Sequence, residues 1–227
     1  MRNAQFHGNV GCVFQSTITG VELRDLVWAA GEPYCLDRDS FRVAGGETGL
    51  IVAADAAGTV LADVLVGLAR PLRGVVYVRG IPAGERPPGE SGIALVPAGG
   101  GLLPHLTVER NVGFGLGGKV ARPARQARVA EVLGDLQLTS LRHMRPHELS
   151  LDQRLRVAVA RAMCTPAETA AVVVEDGGGA ASCRAAVMTA AEQELAVLLI
   201  TGVPGRATEF PCQAQASCRQ FQPCGGG

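Results

Sequence analysis

Three short stretches of this chain carry residue types whose spacing could do chemistry. The first is an apolar run, TGLIV, followed by Ala53, Ala54, Asp55, Ala56, Ala57, Gly58 and Thr59. Strand, small-residue loop and helix is the setting in which backbone N–H groups at a helix start cradle phosphate. A loop that holds a triphosphate also carries an ammonium, in the form Gly-Lys-Ser/Thr. Here Gly58 is followed directly by Thr59, and the chain's single lysine, Lys119, lies far along the sequence. The same residues also read as a plain strand-to-helix turn with Asp55 or Thr59 near the helix start. The second stretch, AAVVVED at residues 170–176, has a buried-strand pattern that ends on Glu175 and Asp176. Paired carboxylates at a strand end can hold a divalent cation or accept a proton, or stand as two solvated charges. The third stretch is Leu149, Ser150, Leu151, Asp152 and Gln153, just ahead of a helical run. A carboxylate at Asp152 suits an early helical position, where the macrodipole favours negative charge.

These residues need a scaffold to hold them. Strand-like runs are VELRDLVW from Val21, FRVAGG, TGLIV, GVVYVRG at 74–80, GIALVP at 92–97, AAVVVED, and AVLLITG at 196–202. Helical patterns fall at 59–68, about 108–142 with a break at the glycines of 113–118, 154–163, and about 182–193. Residues 82–90 are rich in Pro and Gly and read as a loop. Strands alternating with helices argue for an α/β fold on a mostly parallel sheet. The expected organisation is a loose extension over 1–20, one domain over 21–204 and a poorly ordered tail over 205–227. Within the domain, a helical subdomain is expected at about 105–155.

Composition narrows the function classes. At 227 residues with 47% apolar content, the chain can bury one large core or a core with a subdomain. Net charge is zero at neutral pH, which gives no electrostatic footprint for nucleic acid. The most apolar stretch, residues 49–69, contains Asp55, Asp63 and three glycines, a composition too costly for a membrane span. The N-terminus lacks a signal-peptide pattern, so a soluble intracellular chain is expected. Seven cysteines form no CxxC pair, which argues against a zinc site.

The order of pieces over about residues 21–201 resembles the ATP-binding subunit of ABC transporters, in the branch of bacterial small-solute importers. LLPHLTVERNVGFGL at 102–116, RPHELSLDQRLRVAVARAM at 145–163 and GLARPLRG at 67–74 carry the likeness. The resemblance implies a P-loop NTPase-like α/β fold with an inserted helical subdomain and ATP with Mg as cofactors. It also implies pairing with itself or a second ATP-binding subunit, and docking under a membrane permease on the cytoplasmic face of the plasma membrane. It makes residues 53–59 the phosphate loop and Thr59 with Glu175 the metal ligands. Glu175 and Asp176 become the catalytic carboxylates, in swapped order relative to the family's Asp-Glu. Ala98 stands where a γ-phosphate-sensing glutamine is expected, and Gly202 where a histidine is expected. The adenine-stacking aromatic falls near Ala30; Trp28, two residues earlier, either stacks in its place or is an ordinary packing residue. Leu149 to Gln153 corresponds to the signature motif LSGGQ, with Leu151 and Asp152 in place of both glycines.

These departures lead to an expectation of weak or absent ATP–Mg binding and of very weak or no hydrolysis. The chain would then be a structural or regulatory subunit. One alternative is an atypical active ATPase using Thr59, Glu175 and Asp176. The other is a soluble module of the same fold outside transport.

Overall fold

The computed structural model describes residues 20–87, 90–116, 120–165, 169–176, 180–208 and 212–222. Its strands are β1 (Val21–Ala30), β2 (Glu32–Leu36), β3 (Ser40–Val43), β4 (Thr48–Val52), β5 (Arg73–Val78), β6 (Ile81–Pro82), β7 (Ile93–Val96), β8 (Ala171–Asp176), β9 (Ala196–Thr201) and β10 (Ala214–Gln220). The α-helices are α1 (Asp55–Val66), α2 (Val108–Val112), α3 (Arg122–Asp135), α4 (Leu151–Met163) and α5 (Ala180–Glu192). The strands join in one sheet in the order β6-β5-β1-β2-β10-β4-β9-β8-β7, with β3 paired to β1. Half of it is parallel, from β10 through β4, β9 and β8 to β7. The other half is an antiparallel arm built on β1.

The parallel strands are continuous apolar runs because both of their faces are covered. Side chains alternate between faces along a strand. Val197 and Leu199 of β9 enter a core shared with α3, α4 and α5. Leu198 and Ile200 enter a second core shared with α1 and the antiparallel arm. On α3 the buried residues are Val129, Val132 and Leu133, the i, i+3, i+4 spacing of a one-faced helix. α1 stops at Gly67, whose φ of 83° permits the left-handed cap that donates its N–H to the Asp63 and Val64 carbonyls. Among the described residues no helix is long and apolar enough to cross a membrane.

The arm holds a buried charge. The Glu22 side chain is 1% exposed and accepts from Arg24 Nε at 2.6 Å and from Arg42 Nε at 2.7 Å. The Arg24 hydrogen bond, with Arg42 behind it, holds the Glu22 carboxyl below its ordinary pKa against the opposing effect of burial.

Four expectations change. Residues 205–227 are not a loose tail throughout, because Ala214–Gln220 forms β10 between β2 and β4. That strand is held through its backbone ladders and small inward residues such as Ala216, 1% exposed, so it shows little apolar pattern. The folded domain therefore runs past 204. The first long helix begins at Asp55 rather than near Thr59, since the alanine-rich segment favours helix. The helical region near 108–142 breaks at the glycines as expected, with a 3-10 turn at Gly113–Leu116, but α3 ends at Asp135 and only a 3-10 turn at Thr139–Leu141 follows. Lys119 and residues 1–19 lie outside the described residues.

Candidate functional site

The parallel ladder aligns the C-terminal ends of β4, β9 and β8, where open α/β sheets place ligands. A cleft of about 360 Å³ opens there. Its lining brings together Ala53, Gly58, Thr59, Ala98, Glu175, Asp176 and Gly202, with Ile200, Thr201 and Val203. Those ten residues include two carboxylates and no basic side chain.

The connection between β4 and α1 is short. β4 ends at Val52, Ala53 and Ala54 cross, and α1 starts at Asp55. Asp55 through Thr59 are therefore helical, not a loop wrapping a ligand. The Gly58 N–H donates to the Ala54 carbonyl at 2.8 Å, an ordinary helical bond. Ala54 is the N-cap and supplies no side-chain hydrogen bond. Ala54 and Ala56 are exposed and Ala57 is buried, while the Asp55 side chain lies outside the described part of the structure. Gly58 faces Ile200 of β9 so closely that an added Cβ would sit 3.0 Å from Ile200 Cγ2. The glycine thus serves helix-to-sheet packing.

Glu175 and Asp176 sit opposite Ile200 and Thr201 in the β8–β9 ladder. The Ala98 N–H donates to Glu175 Oε2 at 3.1 Å, so this carboxylate pins the loop after β7. The Thr201 hydroxyl donates to Asp176 Oδ2 at 2.9 Å. Thr201, 1% exposed, also accepts from the Val203 N–H at its Oγ1 and from the Ala53 N–H at its carbonyl. It ties the ends of β4, β8 and β9 together. Sequence reasoning missed it, and the only signal was a hydroxyl ending a fully apolar strand.

Trp28 does not reach the cleft. Its side chain is fully buried beneath α1, and its Nε1–H donates to the Ala57 carbonyl at 2.9 Å. It cannot stack on a ligand, because burial and that hydrogen bond fix it in the core. Ala30 is half-buried and carries no ring.

The five residues Leu149 to Gln153 stand apart from the cleft, at the start of α4. The Ser150 Oγ accepts from the Gln153 N–H at 3.2 Å, and the Gln153 Oε1 accepts from the Ser150 N–H at 2.9 Å, a complete capping box. Leu149 is buried and Leu151 is 52% exposed. Arg156 Nη2 donates to Asp152 Oδ2 at 2.6 Å, while the buried Asp152 Oδ1 has no partner.

Two further residues order the loop after β7, and neither was anticipated. Asn111, fully buried, donates to the carbonyls of Leu103, Leu106 and Thr107 and accepts from the Leu103 N–H. Arg161 on α4 donates to the carbonyls of Gly101 and Gly100, and burial lowers its pKa.

A family model described as ABC transporter matches residues 36–171, more than half of the chain. The chain is 38% identical over 143 residues to the Fe(3+) ions import ATP-binding protein FbpC of Pseudomonas fluorescens, covering 59% of this chain and 38% of that protein. It is 31% identical over 145 residues to the putrescine transport ATP-binding protein PotG of Escherichia coli, covering 63% of this chain and 38% of that protein. The matches therefore span well under half the length of these relatives. Among solved structures, the dimeric MJ0796 bacterial ABC transporter cassette superposes with a TM-score of 0.65 at 17% identity, covering 90% of this chain and 100% of that one. The cbiO1 protein of Clostridium perfringens superposes with a TM-score of 0.63 at 18% identity, covering 80% and 77%.

Proposed function

Because this chain belongs to the ABC transporter family, we propose that it is a degenerate ATP-binding subunit, deficient in hydrolysis, in a solute importer. It serves as a structural or regulatory partner of a membrane permease or of a second ATP-binding subunit. The observation that carries this reading is the two-residue connection from β4 to α1 beside a cleft with two carboxylates and no cation.

A triphosphate needs several inward N–H groups and an ammonium. Here the Gly58 N–H is spent inside the helix. A charge pair at about 4 Å is worth roughly 4 kcal/mol at an effective dielectric of 20. That attraction is missing from the cleft lining, whose only charged groups are the carboxylates of Glu175 and Asp176. Since each ~1.4 kcal/mol is tenfold in affinity, triphosphate binding falls by orders of magnitude. The residues present thus do not fit an Mg–triphosphate. Thr59, Glu175 and Asp176 offer the hard oxygens that magnesium takes, with waters to complete its shell, so the misfit lies with the triphosphate and not with the metal.

The partner role draws on the segment 102–116, kept and stitched by Asn111. It also draws on the names of the relatives, which are import and transport ATP-binding proteins. The dimeric cassette of similar fold favours pairing with another subunit. A place on the inner face of the plasma membrane follows from the permease. Co-purification of a membrane protein or a second ATP-binding subunit from detergent-solubilised host membranes is expected. A monomer that leaves those membranes untouched counts against the partner role.

A second reading, an atypical active ATPase, is favoured by the meeting of Thr59, Glu175 and Asp176 in one cleft. Phosphate release from ATP with Mg separates the two. The expected rate is the buffer rate, unchanged in Glu175→Gln/Asp176→Asn. Turnover above background that the double variant abolishes would establish the second reading. A thermal-unfolding titration with ADP and ATP is expected to show no shift with either.

A further inference from the structure

Arg73, Val27, Cys35 and Arg219 form one row across four neighbouring strands. The register sets Arg73 of β5 against Val27 of β1, Val27 against Cys35 of β2, and Cys35 against Arg219 of β10. Residues directly opposite in a ladder project from the same face. These four line a single cleft of about 570 Å³ on the arm, away from the cleft at the parallel strand ends. That volume suits a small molecule. Neither the Arg73 nor the Arg219 guanidinium has a hydrogen bond or ion pair among the described residues. Arg38, at the margin, already has Asp37 at 3.4 Å. Asp25 and Asp39 also line the cleft but lie outside the row, in which the two guanidinium groups are the only charges.

The Cα atoms at the two ends lie three ladder spacings apart, about 14 Å. Such a separation suits two acid groups better than one shared by both arginines. Between the ends the floor is Val27 and the Cys35 thiol, with Leu36 and Phe221 alongside. We propose that this cleft binds an elongated organic dianion, an aliphatic chain with a carboxylate at each end, gripped by Arg73 and Arg219 and lying over Val27 and Cys35. A guanidinium matches a carboxylate in a two-point hydrogen bond, which fixes each end.

Calorimetry on the full chain tests this with α,ω-dicarboxylates from succinate to sebacate, and with octanoate as a one-ended control. Affinity is expected to rise with length to an optimum, with octanoate about tenfold weaker or worse. Arg73→Gln and Arg219→Gln should each cost about tenfold or more. Both side chains are exposed, so the variants should keep the parent's unfolding midpoint. The best dicarboxylate should also slow alkylation of Cys35, followed by mass spectrometry, and leave Cys212 unaffected. Absence of binding, equal binding of octanoate, or undiminished binding in both variants overturns the proposal. If a variant fails to fold, the unaltered chain decides, and an alkylation rate at Cys35 that ignores the dicarboxylate overturns it.

Discussion

α1 and α4 are the helix starts to which the resemblance assigned the phosphate loop and the signature motif, yet their first turns are secured in opposite ways. α4 completes itself, since Ser150 and Gln153 satisfy each other's backbone N–H in a capping box. α1 begins on Ala54, which satisfies nothing with its side chain. What holds α1 is tertiary. Trp28 donates to the Ala57 carbonyl from below, and Gly58 lies against Ile200. The first N–H groups of a helix have no partner inside it. A protein can give them to a side chain or leave them to a ligand. At α4 side chains take the Ser150 and Gln153 N–H groups, and Leu151 and Asp152 stand in place of the glycines of the motif it resembles. At α1 no described side chain takes them, and the cleft beside them is lined by two carboxylates and no basic side chain. On the proposed reading, the two helix starts differ from a nucleotide site in opposite ways, α4 by being capped and α1 by having no basic side chain in the cleft beside it.

The sharpest way to break this contrast is to remove what holds α1. Trp28→Ala should cost about 3–5 kcal/mol, the range for truncating a fully buried aromatic. Urea unfolding would measure it, and a loss under about 1 kcal/mol would mean that α1 is anchored elsewhere. Trp28→Phe keeps most of the volume and removes only the Nε1–H bond to the Ala57 carbonyl, which keeps its helical donor, at about 0.5–1.5 kcal/mol.

Acid offers a control remote from both helix starts. The folded-state pKa of Glu22 lies below its ordinary value of 4.5. Its contribution is therefore fully present above that value and is lost as pH falls through the lower, folded pKa. Unfolding midpoints should drop through that acid range in the parent chain and drop less in Glu22→Gln. Equal acid sensitivity in the two would show that the arginine pair is not what depresses this carboxyl.

At α4 the expected effect is smaller. Ser150→Ala removes a cap worth about 1 kcal/mol. Adding Gln153→Ala should cost less than the sum of the two single changes, because the residues act as a reciprocal pair. Strict additivity in the urea midpoints would mean that the box does not operate in solution.

The parallel half of the sheet was legible because strands buried on both faces leave continuous apolar runs such as VVVED and VLLIT. β10 was not, because AQASCRQ is held by backbone ladders on both sides while Ala216 alone is fully buried. β2 was hidden by its length and by Pro33. At the site, family likeness singled out Gly58, Ala98, Glu175, Asp176 and Gly202, and the fold gathers these into one cleft. The start of α1 was not legible. A run of alanines carries no sign of how many residues the helix will claim, and here it claims all but Ala53 and Ala54. Nor could sequence show that Trp28 turns inward, since both faces of β1 offered it a use. Thr201 and Asn111 act through contacts with residues that only the fold brings close.

The smallest expected effect bears most directly on the contrast. Ala54 already has the extended backbone of an N-cap, with φ −61° and ψ 151°, close to the −64° and 165° of Ser150. It is exposed, so an added hydroxyl meets no core atom. Ala54→Ser should give α1 the bond it lacks, from the Ala56 or Ala57 N–H to Oγ, and raise stability by roughly 0.5–1 kcal/mol. If the first turn of α1 were kept bare for a nucleotide, ATP with Mg would stabilise the parent more than the variant and erase the gain. The expected result is the same gain in urea with and without ATP and Mg. A gain that shrinks as nucleotide is added would mean that α1 still binds phosphate, and the reading of a stripped half-site would fall with it.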